Sequence, residues 1–263
     1  MKVYYSKNKK SLVYISKKAT PDFWDEQWNE DLSNLDKFYK DDTYVSKITS
    51  KYLPKNSIVI EGGCGRANHV YALKKNGYRA IGIDFAPETV SFVNKHFSEL
   101  DVRLGDVMQL ELEAQTVDAY WSLGVIEHFF NGYKEIAEEA NRILKNKGFI
   151  FLTFPSMNIL RKTKAKLGLY PIYDNEDKEN FYQFALDPDQ VISQFKDLNF
   201  DLISKKRTNG FKGLKDESPR FLKLILQRIY DSDLILNKIL SLFISKTTSF
   251  FCGHSILLVL KKK

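Results

Sequence analysis

The sequence predicts an α/β fold, a parallel sheet with helices packed on both faces. Three observations predict it. Short apolar runs alternate with amphipathic helical patterns between residues 58 and 154. Gly62, Gly63 and Gly65 follow directly on the first of those runs. An acid, Asp84, closes the second run, 19 residues beyond Gly65.

The elements follow in order. Residues 1–20 are basic with alternating apolar positions, which suits a small strand pair or a flexible arm. Residues 21–53 read as helical: Pro21 and Asp22 offer a start, Phe23, Trp24, Trp28, Leu32 and Leu35 recur at helical spacing, and Pro54 ends it. Strand-like runs occupy 58–61, 79–83, 101–104, 117–122 and 148–154, with helical patterns at about 67–76, 87–97 and 133–144 between them. Pro87 suits a first helical turn, and Gly148 reads as the stop before the fifth strand. Residues 156–186 form a long connection ending in "ENFYQFAL". "DPDQVISQF" then opens a helix, with Asp187 as N-cap and Pro188 in the first turn. A strand at about 200–207, an insertion at 208–250 and a last strand at about 254–260 complete the chain. Within the insertion Leu222, Ile225, Leu226 and Ile229 share one helical face, and Leu236, Ile239, Leu240 and Phe243 share another. The ordinary expectation is that both faces pack on the domain. A lid over an apolar substrate and a membrane-surface contact are the alternatives. The chain therefore divides into an N-terminal arm with covering helices, 1–53, and a main domain, 54–263, whose insertions 156–186 and 208–250 form a substrate cap.

Bulk properties narrow the function. The net charge is +7, but the surplus is nearly all lysine and is interrupted by an acidic stretch at 22–42. A nucleic-acid enzyme more often shows a continuous, arginine-rich face, so a nucleic-acid partner is disfavoured. Cys64 and Cys252 are far apart and show no metal spacing, so neither a disulfide nor a metal is expected. The longest uncharged run, Thr247 to Leu260, spans 14 residues, short of the roughly 20 a membrane span needs. The N-terminus lacks the apolar core of a secretory leader. A cytoplasmic protein is expected, with peripheral membrane association compatible with the insertion helices, as a monomer or homodimer.

Glycines after a strand let the backbone turn tightly against a ligand, and the following helix N-terminus offers free N–H groups. A dinucleotide site would show G-x-G-x-x-G. Here the sequence reads Gly63-x-Gly65-x-Ala67, with Glu61 ending the strand. A carboxylate there would repel a pyrophosphate and suits an amine beside a carboxylate. Asp84 stands where an acid can accept both ribose hydroxyls. An amino-acid amine, a ribose and no phosphate together describe S-adenosylmethionine.

Glu61–Gly62–Gly63–Cys64–Gly65–Arg66–Ala67 resembles the first motif of the class I S-adenosylmethionine-dependent methyltransferases, with Ala67 in place of the last glycine. The resemblance covers about residues 55–155 and implies several roles. Asp84 corresponds to the ribose acid, with Phe85 beside the adenine. Asp106 in "RLGDVMQL" corresponds to the contact to the adenine amino group, with Val107 next to it. "DAYWSLGVIEHF" corresponds to the motif after the fourth sheet strand, with Leu123 on the cofactor side. The implied fold is a Rossmann-like seven-stranded sheet of order 3-2-1-4-5-7-6, last strand antiparallel, with an inserted helical lid. The implied cofactor is S-adenosylmethionine, leaving as S-adenosylhomocysteine, without a metal.

Methyl transfer needs alignment and water exclusion, plus a base if a hydroxyl loses its proton. In related small-molecule enzymes a Glu-His pair here often lies near the acceptor, which makes His128 and Glu127 the catalytic candidates. A loop-capping role for His128 and a helix-start role for Glu127 stand beside that reading. Trp24 and Trp28 either cover the cofactor or pack in the core. Tyr170, Phe181 and Tyr182 fall in the connection that commonly builds the acceptor pocket. The Asn/Asp-Pro-Pro-Tyr pattern of base-methylating relatives is absent at "SLGVIEHF". The expectation is O-methylation of a small molecule or of a glycan- or lipid-linked intermediate. The alternatives are an RNA or protein methyltransferase, or a non-catalytic relative that binds the cofactor and acts through a partner.

Overall fold

The computed structural model describes residues 1–29, 39–174 and 179–263. Among the described residues, ten strands form two sheets. The larger contains β3 (Ile58–Gly62), β4 (Arg79–Asp84), β5 (Asp101–Leu104), β6 (Val117–Leu123), β7 (Leu144–Pro155), β9 (Phe200–Thr208) and β10 (Ser255–Lys262). Its order is β5-β4-β3-β6-β7-β10-β9. All neighbours are parallel except β10, which runs antiparallel to both β7 and β9. Counted from β3, this is the 3-2-1-4-5-7-6 order that the motif resemblance implies.

The strands are apolar on both faces because both faces are covered. Adjacent residues feed opposite cores: Ile60, Tyr120, Ile150 and Leu258 enter one cluster, and Val59, Trp121, Phe151 and Leu257 the other. Helix α3 (Asn68–Lys75) and helix α4 (Pro87–His96) connect the first three strands. Helix α5 (Lys134–Ile143) buries Ile136, Ala137, Ala140 and Ile143 and leads straight into β7. That strand starts four residues before the predicted stop at Gly148. Lys147 takes a left-handed conformation (φ 66°), and the register against β6 shifts between Val117 and Ala119, so Gly148 sits inside an irregular strand. A Cβ there would come within 2.9 Å of the Lys145 carbonyl oxygen.

The N-terminal residues form a strand pair, β1 (Lys2–Ser6) and β2 (Ser11–Ile15). Strand β8 (Phe181–Ala185) pairs antiparallel with β2, making a three-stranded sheet from both ends of the sequence gap. Of the predicted 21–53 helix, the structure has α1 (Pro21–Asn29) and α2 (Tyr44–Thr49), the latter opened by a reciprocal Thr43–Ser46 capping box. Leu32 and Leu35 lie outside the described residues. Helix α6 (Ile159–Lys166) falls in the long connection, and α7 (Pro188–Asp197) is capped by Asp187, as its sequence predicts.

The 208–250 insertion is helical but not where the cap is expected. It contains α8 (Gly210–Glu217), α9 (Arg220–Tyr230) and α10 (Ile235–Cys252). These pack against one another, α6 and β9, at the far edge of the sheet. On α9 the predicted stripe turns largely inward, with Leu226 buried, Leu222 and Ile229 half-buried and Ile225 exposed, whereas the α10 stripe of Leu236, Ile239, Leu240 and Phe243 faces outward instead of packing on the domain. Phe211 on α8 and Leu226 on α9 are buried, and a polar network ties the insertion to the domain. Arg161 on α6 is fully buried; its Nε donates to Glu217 on α8 (2.9 Å), one Nη to the Ser156 carbonyl (2.9 Å) and the other to His254 Nδ1 (3.1 Å). Lys164 and Tyr170 also bind Glu217. Breaking a buried pair leaves an uncompensated charge, so Arg161→Gln is expected to lower unfolding stability by about 3 kcal/mol, read from denaturant titration.

Candidate functional site

The parallel strands β3, β4 and β6 end together, and the turn after β3 must reverse sharply there. Gly63 (φ 73°), Gly65 (φ 50°) and Ala67 (φ 59°) all take left-handed conformations. Gly63 and Cys64 donate their N–H groups to the Ile83 carbonyl (2.7 and 3.1 Å). Gly65 donates to Asp84 Oδ2 (2.7 Å), and Ala86 to Asp84 Oδ1 (3.0 Å). Gly62 allows close approach of the Tyr120 hydroxyl, and Gly82 in β4 leaves room for the Cys64 thiol.

Beyond this turn lies a cavity of about 320 Å³. Gly63, Asp84, Phe85, Asp106, Val107 and Leu123 line it, six of the ten residues that the motifs assign to the cofactor. Glu61, Gly62, Cys64 and Gly65 do not; they form the turn and the strand end behind it. Glu61 is buried, and its Oε2 has no hydrogen-bond partner among the described residues. Burial raises its pKa well above the carboxylate range, and the neighbouring Asp84 adds to this, against one N–H bond from Val70. Burial also raises Asp84, opposed by the N–H groups of Gly65, Ala86 and Phe85. Two buried acids with an unmet oxygen, beneath a left-handed glycine turn, fit a ligand carrying a cationic amine and hydroxyls. Asp106 is held at the opposite rim, where its Oδ1 accepts from Met108 N–H (2.9 Å).

The cover over the cavity comes from α1. Trp24 and Trp28 line it, with rings 6.3 Å apart and nearly parallel. Trp28 lies on the glycine turn, where a Cβ on Gly65 would come within 2.7 Å of its ring. Asp25, between them, fixes the helix. Its Oδ1 accepts from both the backbone N–H (2.8 Å) and the hydroxyl (2.7 Å) of Thr89. It thereby caps α4, whose own preceding residue, Ala86, has no side chain to do so. Sequence reading misses Asp25, because a cap supplied from 64 residues away leaves no local pattern. It also misses Gly124 and Val125, whose only signal is a glycine at the end of β6; Gly124 has φ 72°.

His128 lines the cavity from a 3-10 turn, Ile126–His128. Its Nδ1 is 2.7 Å from the Tyr182 carbonyl oxygen. A carbonyl only accepts, so Nδ1 carries the hydrogen and Nε2 keeps its lone pair. Burial lowers the His128 pKa to about 4, against the carbonyl bond, which raises it. The Trp24 ring stands edge-on to the imidazole at 5.2 Å and the Tyr182 ring at 5.0 Å. Glu127 does not line the cavity, although its Oε1 lies close to Gly124, which does. It is buried, Oε2 has no partner among the described residues, and burial pushes its pKa up to about 8.

The remaining expected pocket residues separate. Tyr182 sits against His128, whereas Tyr170 and Phe181 are core residues. Tyr170 packs with Leu12, Tyr14 and Met157 while its hydroxyl donates to Glu217 (2.5 Å), and Phe181 packs on Phe130 and Phe184. Among the described residues, none from the 156–186 or the 208–250 insertion lines the cavity. The second joins the sheet at β10 and β9, three and four places from β3. Among the described residues, no cluster of three or more His, Cys, Asp or Glu is placed to hold a metal, and no helix is long and apolar enough to cross a membrane.

Comparison with known proteins follows the same outline. Residues 60–152 match the family model of a methyltransferase domain. A Mycolicibacterium smegmatis protein called "Probable S-adenosylmethionine-dependent methyltransferase" is 29% identical over 98 residues, 37% of this chain and 38% of the relative. The chain thus spans well under two thirds of that relative. A tRNA (guanine-N(7)-)-methyltransferase of Mycoplasma genitalium is 26% identical over 172 residues, 62% of this chain and 76% of the relative. Among solved structures, geranyl diphosphate C-methyltransferase from Streptomyces coelicolor A3(2) superposes with a TM-score of 0.55 at 13% identity, over 94% of this chain and 100% of its own. That likeness is one of fold.

Glu127 supplies a pH test. Between its ordinary value of 4.5 and about 8, the folded chain holds a proton that the unfolded chain releases. Stability from this group is therefore present at low pH and lost as pH rises through 8. From pH 5 to pH 8 the native chain is expected to lose up to about 4 kcal/mol relative to Glu127→Gln, measured by urea unfolding at both values.

Proposed function

We propose that this chain, whose residues 60–152 match a methyltransferase-domain model and resemble a probable S-adenosylmethionine-dependent methyltransferase, is a class I S-adenosylmethionine-dependent methyltransferase that methylates a hydroxyl of a small molecule or of a glycan- or lipid-linked intermediate. The observation that carries the reading is the convergence of Asp84, Asp106, the Gly63 turn and the neutral His128 on one cavity. When bound, S-adenosylmethionine supplies a methyl group already activated on a sulfonium.

The residues divide the work. Asp84 accepts the ribose hydroxyls, using the lone pairs left free by Gly65 and Ala86. Phe85 and Val107 flank the adenine, and Asp106 takes its amino group. Glu61, behind the turn, stabilises the amine. Trp24 and Trp28 close the cavity and exclude water, which strengthens the fields inside. His128 accepts a hydrogen bond from the acceptor hydroxyl at Nε2 and holds its proton as the new bond forms. Its low pKa makes it a weak base but keeps it neutral throughout the physiological range. Glu127, protonated below about pH 8, adds no competing negative charge next to it.

An RNA acceptor is the second reading. It draws on the name of the Mycoplasma genitalium relative and on the lysine surplus. Supplying a labelled methyl donor to RNA and to lipid extract in parallel separates the two.

Calorimetric titration with S-adenosylmethionine and S-adenosylhomocysteine tests the cofactor site. Micromolar binding is expected, weakened roughly tenfold or more by Glu61→Ala and by Asp84→Ala with the melting transition retained. Unchanged affinity in Glu61→Ala would refute the amine assignment. His128→Gln is expected to leave cofactor affinity within about threefold while lowering kcat by about 10²–10⁴. A change in KM alone would reduce His128 to a binding contact.

A further inference from the structure

Helix α10 is built inside out. The residues it turns toward the domain are small or polar: Ser245, Thr248, Ser249 and Cys252 pack on α8, where Gly210 and Gly213 let the two backbones meet. A Cβ on Gly210 would come within 2.5 Å of the Ser245 carbonyl oxygen, and one on Gly213 would overlap the Cys252 carbonyl. Its outer face carries Ile235, Leu236, Ile239, Leu242, Phe243 and Phe250, each 58–80% exposed. On α9, Leu226 is buried and Leu222 and Ile229 are half-buried against the domain, while Phe221, Leu224 and Ile225 face outward. Leu167 and Leu169, just beyond α6, are exposed as well, and α6 packs on α10. Phe221, Phe243, Phe250 and Phe251 alone leave on the order of 500 Å² uncovered. That already matches the largest apolar patch of an ordinary monomer, roughly 300–600 Å², before any Leu or Ile is added.

The charges set among these side chains say what covers them. Arg220, Lys223, Arg228 and Lys246 form no ion pair among the described residues. The two acids of the connecting turn are engaged: Asp233 binds Lys238 (2.9 Å), and Asp231 accepts from Gln227. An apolar face studded with unpaired cations opposes itself in a two-fold pairing, where each cation meets the same set on the other copy. It complements a surface of phosphates over hydrocarbon, with Phe, Leu and Ile in the headgroup–acyl boundary and Arg and Lys at the anionic headgroups. The hairpin also emerges from the correct edge. It joins the end of β9 to the start of β10, and Ser255 pairs there with both Thr208 and Pro155, at the carboxyl ends of the parallel strands. The cavity lies along that same edge.

We propose that the α9–α10 hairpin docks this chain on an anionic lipid surface, with the carboxyl-end rim of the sheet turned toward the membrane. The inference stands apart from the methyl-transfer reading, since vesicle binding needs no cofactor. Under the lipid-linked form of that reading, it places the acceptor's anchor beside the cavity rim.

Flotation of the full chain with phosphatidylcholine vesicles, alone or with about one third phosphatidylglycerol, tests it. The chain is expected to rise with the anionic vesicles, less with the neutral ones, and less as salt increases. Leu236→Ser combined with Phe243→Ser, both exposed and so compatible with the native fold, is expected to lower partitioning roughly tenfold or more. Replacing Arg220, Lys223, Arg228 and Lys246 by Gln removes the preference for anionic lipid. A folded native chain that stays free of anionic vesicles overturns the proposal, as does unchanged partitioning of the serine variant. So does a dimer in sedimentation equilibrium that the same two serines dissolve, which would make a second copy the occupant.

Discussion

The carboxylate of Asp84 is the pin on which the site turns. It ends β4, and its two oxygens take the N–H groups of Gly65 and Ala86. One bond holds the left-handed turn after β3 against the neighbouring strand; the other starts the path into α4. Everything over the cavity then follows by contact. The turn seats the Trp28 ring, α4 receives its cap from Asp25 on the same short helix as Trp28, and Trp24 reaches His128. An ordinary residue at position 65 would meet both a strained φ and the Trp28 ring, so the glycine serves the backbone and the cover at once.

This arrangement is electrostatically expensive. Glu61 and Asp84 are both buried, each raised by desolvation, and each raises the cost of the other's ionisation. Asp84 recovers part of that cost through backbone N–H bonds, while Glu61 keeps an oxygen without a partner among the described residues. A fold optimised for stability alone would place a hydrophobic residue at that strand end. Retaining two acids there makes physical sense if a cationic, hydroxyl-rich ligand completes the hydrogen bonding, so the strain and the binding site are one feature. The titrations around it run in opposite senses. His69, His128 and His254 are all lowered by burial, and so lose stability as pH falls below the ordinary histidine value. Glu127, raised by burial, loses it as pH rises. The folded state is squeezed from both sides around neutrality.

Most of the sheet was legible in the sequence because its signals are local. Buried parallel strands are short apolar runs, their connecting helices have an apolar stripe, and the glycines and acids fall where the period changes. The strand limits move by only a few residues, the largest shift being the start of β7 four residues before Gly148. The acid pair and the cavity residues Phe85, Asp106 and Leu123 were legible for the same reason. What stayed hidden depends on distant partners. Strand β8 is only five residues long and pairs with β2 across more than 160 residues, so "ENFYQFAL" reads as connection. Tyr170 and Phe181 look like pocket aromatics, yet they serve the core that β8 and α6 create. Asp25 caps a helix from outside its own segment. The direction in which α10 faces was illegible because a periodic apolar stripe reports amphipathicity, not which medium the stripe meets.

That last ambiguity has a structural cause. An apolar helix face normally finds the core because burial there is the strongest force available. Here the competing inward contact is close backbone packing of Ser245, Ser249 and Cys252 on Gly210 and Gly213, reinforced by the buried Arg161–Glu217 pair at the base of α8. Small residues and a satisfied ion network fix the orientation of α10 while Phe211 on α8 and Leu226 on α9 supply the buried hydrophobic area, so the outer face of α10 is left unused. Such packing is the usual solution where hydrocarbon surrounds the outer face and burial cannot discriminate inside from outside. The composition of the α8–α10 contact and the composition of its outer face thus point to the same environment by independent routes. A contact built of glycine and serine would be a poor choice for anchoring helices in water, where Leu and Phe would have turned inward.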